Sequence, residues 1–215
     1  MKVNIFVVVL GVFVAITSFE FAQVRASDSK YDVVDIKSEQ GGGNSAAFFN
    51  GTNGQVVIFV PGAVFDKESW YFLAESLQAK NVASLSLDGK TPAAVLAAID
   101  YLKAKGFKKI GLVGGSMGGA AVLDALDRKT DASINKVITL APAGGHPIKS
   151  ENIKKLFIVA KHDSLGLYPE VKQLYKDSSE PKKFVEVEGS AHAQHMFKTS
   201  HKAELTKLIA DFMAN

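Results

Sequence analysis

From Tyr31 onward, short apolar runs rich in β-branched residues alternate with stretches whose apolar positions recur every three or four residues. That beat predicts strands joined by crossover helices, hence a mainly parallel sheet. The opening is different. Tyr31 to Lys37 and Ala46 to Asn50 read as two strands separated by Gly41-Gly42-Gly43 with no helix between them, which predicts an antiparallel start. Gln55 to Val60 is continuously apolar after its first residue, as expected of a strand covered on both faces. Trp70, Leu73, Ala74 and Leu77 then follow at helical spacing, and Val82 to Leu87 reads as the next strand, ending in Asp88-Gly89. Thr91-Pro92 is a strong helix start: threonine caps free amides, and proline fits the first helical position, where its missing N–H is no loss. Val95, Ile99 and Leu102 line one face of that helix and Gly106 closes it. Lys108 to Val113 predicts a strand, and Met117 to about Lys129 a helix with Ala121, Ala125 and Leu126 inward. Strands follow at Lys136 to Leu140, Leu156 to Ala160 and Lys183 to Val187, and the last helix carries Leu205, Leu208, Ile209 and Phe212 on one face. The total is about eight strands in an α/β arrangement, with connections too short to house a second domain.

The chain has 215 residues, and Ile5 to Phe19 contains no charge and follows an N-terminus whose only charged side chain is Lys2. A helix of that length reaches roughly 22 Å at 1.5 Å per residue, short of a hydrocarbon core of roughly 30 Å, so the segment reads as an export signal rather than a permanent membrane span. Val24-Arg25-Ala26 offers a cleavage site before the abruptly polar Ser27-Asp28-Ser29-Lys30. The expectation is a signal peptide over 1–26 and a single domain over 27–215, secreted or periplasmic, with no stable membrane insertion once the signal is removed; an uncleaved anchor is the alternative. The absence of cysteine excludes a disulfide scaffold, a thiol nucleophile and thiolate metal sites. A formal charge of +3, dispersed in pairs such as Lys108-Lys109, Lys154-Lys155 and Lys182-Lys183, gives nucleic-acid binding little support.

The sharpest chemical feature is Gly114-Gly115-Ser116-Met117-Gly118-Gly119, between a predicted strand and a predicted helix. A serine at so tight a turn has a strained backbone, and the residues two before and two after it must be small. Gly114 and Gly118 satisfy this. The turn exposes a hydroxyl at the positive end of a helix and aims the Met117 N–H at any oxyanion formed beside it. A glycine-rich turn that merely packs helix on sheet is the bland alternative. A P-loop would need a lysine that is missing here, and the spacing is not that of a dinucleotide fingerprint. Serine needs a base, and the base an orienting acid. Asp163, just past the strand ending at Ala160, and His192, just past the strand ending at Val187, follow Ser116 in the order serine, acid, histidine. In open parallel sheets such groups gather beyond the carboxyl ends of the strands. His192 would then take the Ser116 proton while Asp163 holds the imidazole in the required tautomer.

Val60-Pro61-Gly62-Ala63, Gly-Gly-Ser-Met-Gly-Gly, Lys161-His162-Asp163 and Gly189-Ser190-Ala191-His192 together resemble the alpha/beta-hydrolase superfamily over the chain from about Asp32 to its end. The resemblance implies an alpha/beta-hydrolase fold without a cap domain and a serine hydrolase without cofactor or metal. It also implies a second oxyanion donor at the N–H of Ala63, with Val64 as fallback. One departure is Pro61, where many members have histidine. Rivals stand beside these assignments. His195 competes as base, and His192, His195 and His201 as a metal cluster, although no His-Glu-x-x-His helix motif occurs. Asp88 competes as the acid, whereas Ala141-Pro142-Ala143 leaves the other usual acid position vacant. His146 and His162 read as surface residues, and Trp70 as core before pocket wall. The short connection from Leu140 to Lys154 leaves no room for a lid, which favours small or solvent-presented esters, with the loops Asp66 to Ser69 and Gly144 to Ile153 able to shape a pocket. The expected activity is carboxylic-ester hydrolysis of a small-molecule substrate. The alternatives are the same triad acting on another acyl, thioester or peptide bond, or transferring an acyl group, and a non-catalytic binding protein on the same scaffold.

Overall fold

The computed structural model describes residues 30–37, 43–129 and 131–215. The predicted signal segment over 1–26 and its cleavage site lie outside the described residues.

Strands β1 (Asp32–Lys37), β2 (Gly43–Phe49), β3 (Gln55–Val60), β4 (Ala83–Leu87), β5 (Lys109–Gly115), β6 (Ile134–Leu140), β7 (Lys154–Ala160) and β8 (Lys182–Val187) form one eight-stranded sheet in the order β1-β2-β4-β3-β5-β6-β7-β8. β1 and β2 pair antiparallel, as do β2 and β4, and every later pair is parallel. The antiparallel opening follows from the missing crossover helix, which only parallel neighbours require.

The continuous apolar run of β3 is explained by its side-chain alternation. Val57 and Phe59 enter one apolar cluster, and Val56, Ile58 and Val60 the other, on opposite faces of the sheet. Helices α1 (Tyr71–Gln78), α4 (Tyr168–Asp177) and α5 (Lys202–Ala214) supply the first cluster through Leu73, Leu77, Val171, Leu205 and Ile209. Helices α2 (Pro92–Ala104) and α3 (Met117–Arg128) supply the second through Val95, Ile99, Leu102, Val122 and Leu123. Burying each such Leu, Ile or Val contributes roughly 1.5–3 kcal/mol, and the result is a three-layer α/β/α domain. Trp70 is fully buried and stacks on Phe59 at 5.5 Å between ring centroids, so it is core and not pocket wall.

Local signals and observed elements agree closely at α2, where Thr91 Oγ1 accepts from the Ala94 N–H at 3.2 Å and Pro92 opens the helix. Three differences have physical causes. β2 begins at Gly43, ahead of the predicted Ala46, because the Gly43, Asn44 and Ser45 backbone pairs with β1 despite side chains of low strand preference. β5 runs through Gly114 and Gly115, which pair with β6 at Thr139 and Leu140, so the turn that carries Ser116 starts two residues later than its glycines suggest. Helix α4 was not predicted. It buries only Val171 fully, and its Pro169 sits in the first turn.

The connection from β6 to β7 spans residues 141–153 without a helix, and no separate cap domain is present among the described residues. Lysines 136 and 155 are buried at the opposite end of the sheet from the predicted site. Lys136 Nζ donates to the Met213 carbonyl at 2.8 Å, and Lys155 Nζ to the Ser150 and Ser179 carbonyls at 2.5 and 2.8 Å. Burial pushes both ammonium groups below the usual lysine range.

Candidate active site

The site is assembled at the carboxyl ends of four strands: β3 leads to Gly62 and Ala63, β5 to Ser116, β7 to Asp163 and β8 to His192. β3 lies beside β5, with Val60 opposite Gly114, and β7 beside β8, with Ala160 opposite Val187, so both pairs of loops leave the sheet side by side. Such a placement is what open parallel sheets offer.

Ser116 has φ 50° and ψ −119°, a conformation rarely adopted by an L-residue. Neighbouring backbone holds it there: the Ser116 N–H donates to the Leu140 carbonyl at 2.9 Å, and the Ser116 carbonyl accepts from Ala120 and Ala143, each at 3.1 Å. A Cβ on residue 114 would lie 2.5 Å from the Gly118 carbonyl oxygen, and one on residue 118 would lie 2.3 Å from that of Val60. The requirement for small residues on either side of the serine is therefore steric and set by backbone atoms that have no freedom to yield. Gly118→Ala is expected to destabilise the protein by about 1–3 kcal/mol through overpacking and to lower activity by displacing Ser116. A urea denaturation curve measured beside an ester assay checks both effects, and unchanged stability would mean that the turn relaxes.

His192 bridges the other two predicted residues. Its Nε2 lies 2.8 Å from Ser116 Oγ, and its Nδ1 lies 2.9 Å from Asp163 Oδ2 and 3.1 Å from Oδ1. The two loops that carry Asp163 and His192 are bound together by backbone hydrogen bonds. Lys161 donates to Val187 at 2.9 Å, His162 to Gly189 at 3.0 Å and Ser164 to Ser190 at 2.9 Å. Asp163 Oδ1 also accepts from the Leu165 and Leu167 N–H groups at 3.1 and 3.4 Å, which fixes the carboxylate plane. Both Asp163 and His192 are buried.

The rival residues are placed elsewhere. Asp88 accepts from both the Lys67 N–H (2.9 Å) and Lys67 Nζ (2.6 Å), and this pairing raises the Lys67 ammonium above its usual range. His195 is exposed, its ring 4.9 Å from that of Phe65. His201 faces Glu204 at 4.0 Å and His146 binds Asp124 at 2.9 Å, while His162 is exposed.

Met117 is the first residue of α3, where a backbone N–H has no acceptor within the helix. In the facing loop the Gly62 N–H donates to Gln194 Oε1 at 2.8 Å, and the Phe65 N–H to the Gly62 carbonyl at 3.1 Å. The Ala63 and Val64 N–H groups have no hydrogen-bond partner among the described residues. Gln194 escaped sequence reasoning. Its one signal was an amide side chain set among Ala193, Met196 and Phe197, all of which prove to be buried.

The chain matches the alpha/beta hydrolase family over residues 56–209 and belongs to it. Solved structures with similar folds include a dienelactone hydrolase from Anabaena variabilis, 17% identical, with a TM-score of 0.71 over 86% of this chain and 97% of that one. The esterase domain of a Rhodothermus marinus protein is 14% identical, with a TM-score of 0.72 over 86% of this chain and 98% of that one. Est1E from Butyrivibrio proteoclasticus, in a structure with ferulic acid bound, is 19% identical, with a TM-score of 0.70 over 84% of this chain and 97% of that one. No curated protein matches the chain by sequence.

Proposed function

We propose that this protein is an exported serine hydrolase that cleaves carboxylic esters through an acyl-enzyme on Ser116. The observation that carries this reading is the single imidazole of His192 bridging Ser116 Oγ at 2.8 Å and Asp163 Oδ2 at 2.9 Å. A serine hydroxyl is a weak nucleophile at neutral pH, and a hydrogen-bonded base with an orienting carboxylate behind it is the arrangement that activates one.

Ser116 Oγ attacks the ester carbonyl carbon as His192 Nε2 takes its proton, and the carbonyl oxygen becomes an oxyanion facing the N–H groups of Met117 and Ala63. The carbon–oxygen bond to the alcohol breaks, and the imidazolium returns the proton to the departing alkoxide. Water then attacks the acyl-enzyme, its proton passing through His192 to Ser116 Oγ as the acid leaves. Asp163 stays ionised, keeps the proton of the neutral imidazole on Nδ1 and stabilises the imidazolium.

The surroundings favour a small or solvent-presented ester. Without a cap there is no tunnel wall for a long acyl chain, and the exposed large apolar side chains include Val64, Met117 and Leu165, each adjacent to a site residue or two beyond one. Such side chains suit a short acyl or alcohol group lying on the surface. Three similar folds are an esterase domain, a dienelactone hydrolase and a ferulic-acid-binding Est1E, which is consistent with a small-molecule ester. The uncharged run from Ile5 to Phe19 supports export, with cleavage after Ala26 and a secreted or periplasmic enzyme.

Treatment of the folded protein with a fluorophosphonate is expected to modify Ser116 alone, identified by peptide mass, and to abolish turnover of p-nitrophenyl acetate in proportion. Folded protein that neither reacts nor hydrolyses short-chain esters would instead be a binding protein on this scaffold. Labelling without ester turnover would move the activity to thioester or amide substrates, or to acyl transfer.

A further inference from the structure

Gln194 is a polar side chain only 3% exposed, two residues beyond His192. The residue between them, Ala193, has φ 45°, a left-handed conformation that alanine rarely adopts. The strain has a visible result: the chain turns so that His192 reaches Ser116 while Gln194 reaches the loop after β3. There the Gly62 N–H donates to Gln194 Oε1 at 2.8 Å, Gln194 Nε2 donates to Ser69 Oγ at 2.6 Å, and Ser69 Oγ donates to the Asp66 carbonyl at 2.6 Å. Each donor in this chain meets an acceptor, so the amide has one orientation that satisfies both ends.

The fit is steric as well as polar. A Cβ on residue 62 would lie 3.1 Å from Gln194 Oε1, and one on residue 115 only 2.8 Å from it. Gly115 and Gly62, one just before the nucleophile and one in the facing loop, therefore leave the space that the amide fills. Nothing in the acyl-transfer steps uses Gln194 directly, yet it binds three parts of the site: the histidine-bearing segment, the loop after β3, and the short turn at Lys67–Trp70.

Resting on the serine-hydrolase reading, we infer that Gln194 is a positioning residue that shapes the oxyanion hole. By taking the Gly62 N–H, its carbonyl oxygen removes that amide from the site and leaves the next two, those of Ala63 and Val64, as unpartnered donors beside it. By binding Ser69, its NH2 group ties the far end of the same loop. Donors aimed where charge develops stabilise the transition state more than the bound ester, and small displacements of them lower the rate. Loss of Gln194 therefore acts on kcat and leaves KM nearly unchanged.

The test compares the purified wild type with Gln194→Met, which keeps length but makes neither hydrogen bond, and with Ser69→Ala. Measured are kcat and KM for p-nitrophenyl acetate, the affinity for phenylboronic acid, which forms a tetrahedral adduct on the serine, and the thermal midpoint. Gln194→Met is expected to lower kcat about 10–100-fold, less than or comparable to deleting an oxyanion donor outright, to weaken the boronate by a similar factor and to leave KM within about threefold. Ser69→Ala follows in the same direction by several-fold. A Gln194→Met variant with full kcat and boronate affinity overturns the inference, whatever its thermal midpoint. If that variant does not fold, Ser69→Ala decides: a parallel loss in kcat and boronate affinity supports the inference, and unchanged values overturn it. A wild type that neither turns over esters nor reacts with fluorophosphonate would remove the underlying reading and this one with it, whereas an active wild type with an insensitive Gln194→Met removes this one alone.

Discussion

Ser116→Ala is expected to lower kcat for p-nitrophenyl acetate on the order of 10⁶-fold, the loss typical of deleting a serine nucleophile, while the protein stays folded. The two halves of that result have separate causes. The hydroxyl's hydrogen bond runs to His192, so the acyl-enzyme cannot form without it. The fold does not rely on it, because the strained backbone at φ 50° is held by main-chain bonds to Leu140, Ala120 and Ala143 that alanine preserves. Residual hydrolysis should come from the oxyanion donors and substrate binding alone. Kinetics on the variant beside its thermal midpoint provide the check, and turnover within tenfold of wild type would sink the mechanism.

Asp163→Asn is expected to lower kcat on the order of 10⁴-fold by imposing the wrong tautomer on the base. The direction follows from the carboxylate's two sides. Oδ1 accepts the Leu165 and Leu167 N–H groups, so an asparagine would keep its oxygen there and turn its NH2 toward His192 Nδ1. Nδ1 would then have to accept, Nε2 would carry the proton, and Ser116 would face a donor in place of a base. Asp88→Asn serves as the comparison, since the Asp88 carboxylate binds Lys67 and hydrogen-bonds to none of Ser116, Asp163 and His192. A large loss in that variant with a mild one at residue 163 would reassign the acid.

Most of the positional information for the site was legible in the residues. The tight turn around Ser116 was legible because it excludes side chains at 114 and 118 by direct contact with backbone oxygens. Asp163 and His192 were recognisable because each follows a predicted strand and the two occur in a fixed order after the serine. Asp163 was separable from Asp88 because Asp88 precedes Ser116 in the chain, and the sheet order agrees: β7 lies beside β8, while Asp88 follows β4, on the other side of β3. Gln194 was not legible. Its partners, Gly62 and Ser69, lie more than a hundred residues away, and no local periodicity marks an amide for burial. Helix α4 was missed although Tyr168, Val171, Leu174 and Tyr175 recur at helical spacing, because the segment is mostly polar and buries only Val171 fully.

By itself, then, the sequence determined what depends on neighbours along the chain: the strand and helix rhythm, the Thr91 cap, the tight turn around Ser116 and the order of Ser116, Asp163 and His192. These are local because hydrogen bonding within a turn, side-chain periodicity and glycine sterics act over a few residues. The tertiary structure alone decided which loop amides remain unpartnered beside Ser116 and that Gln194 joins the two sides of the site. Those depend on strand order and on contacts between distant segments, which arise only when burial of both sheet faces brings the carboxyl ends of β3, β5, β7 and β8 together.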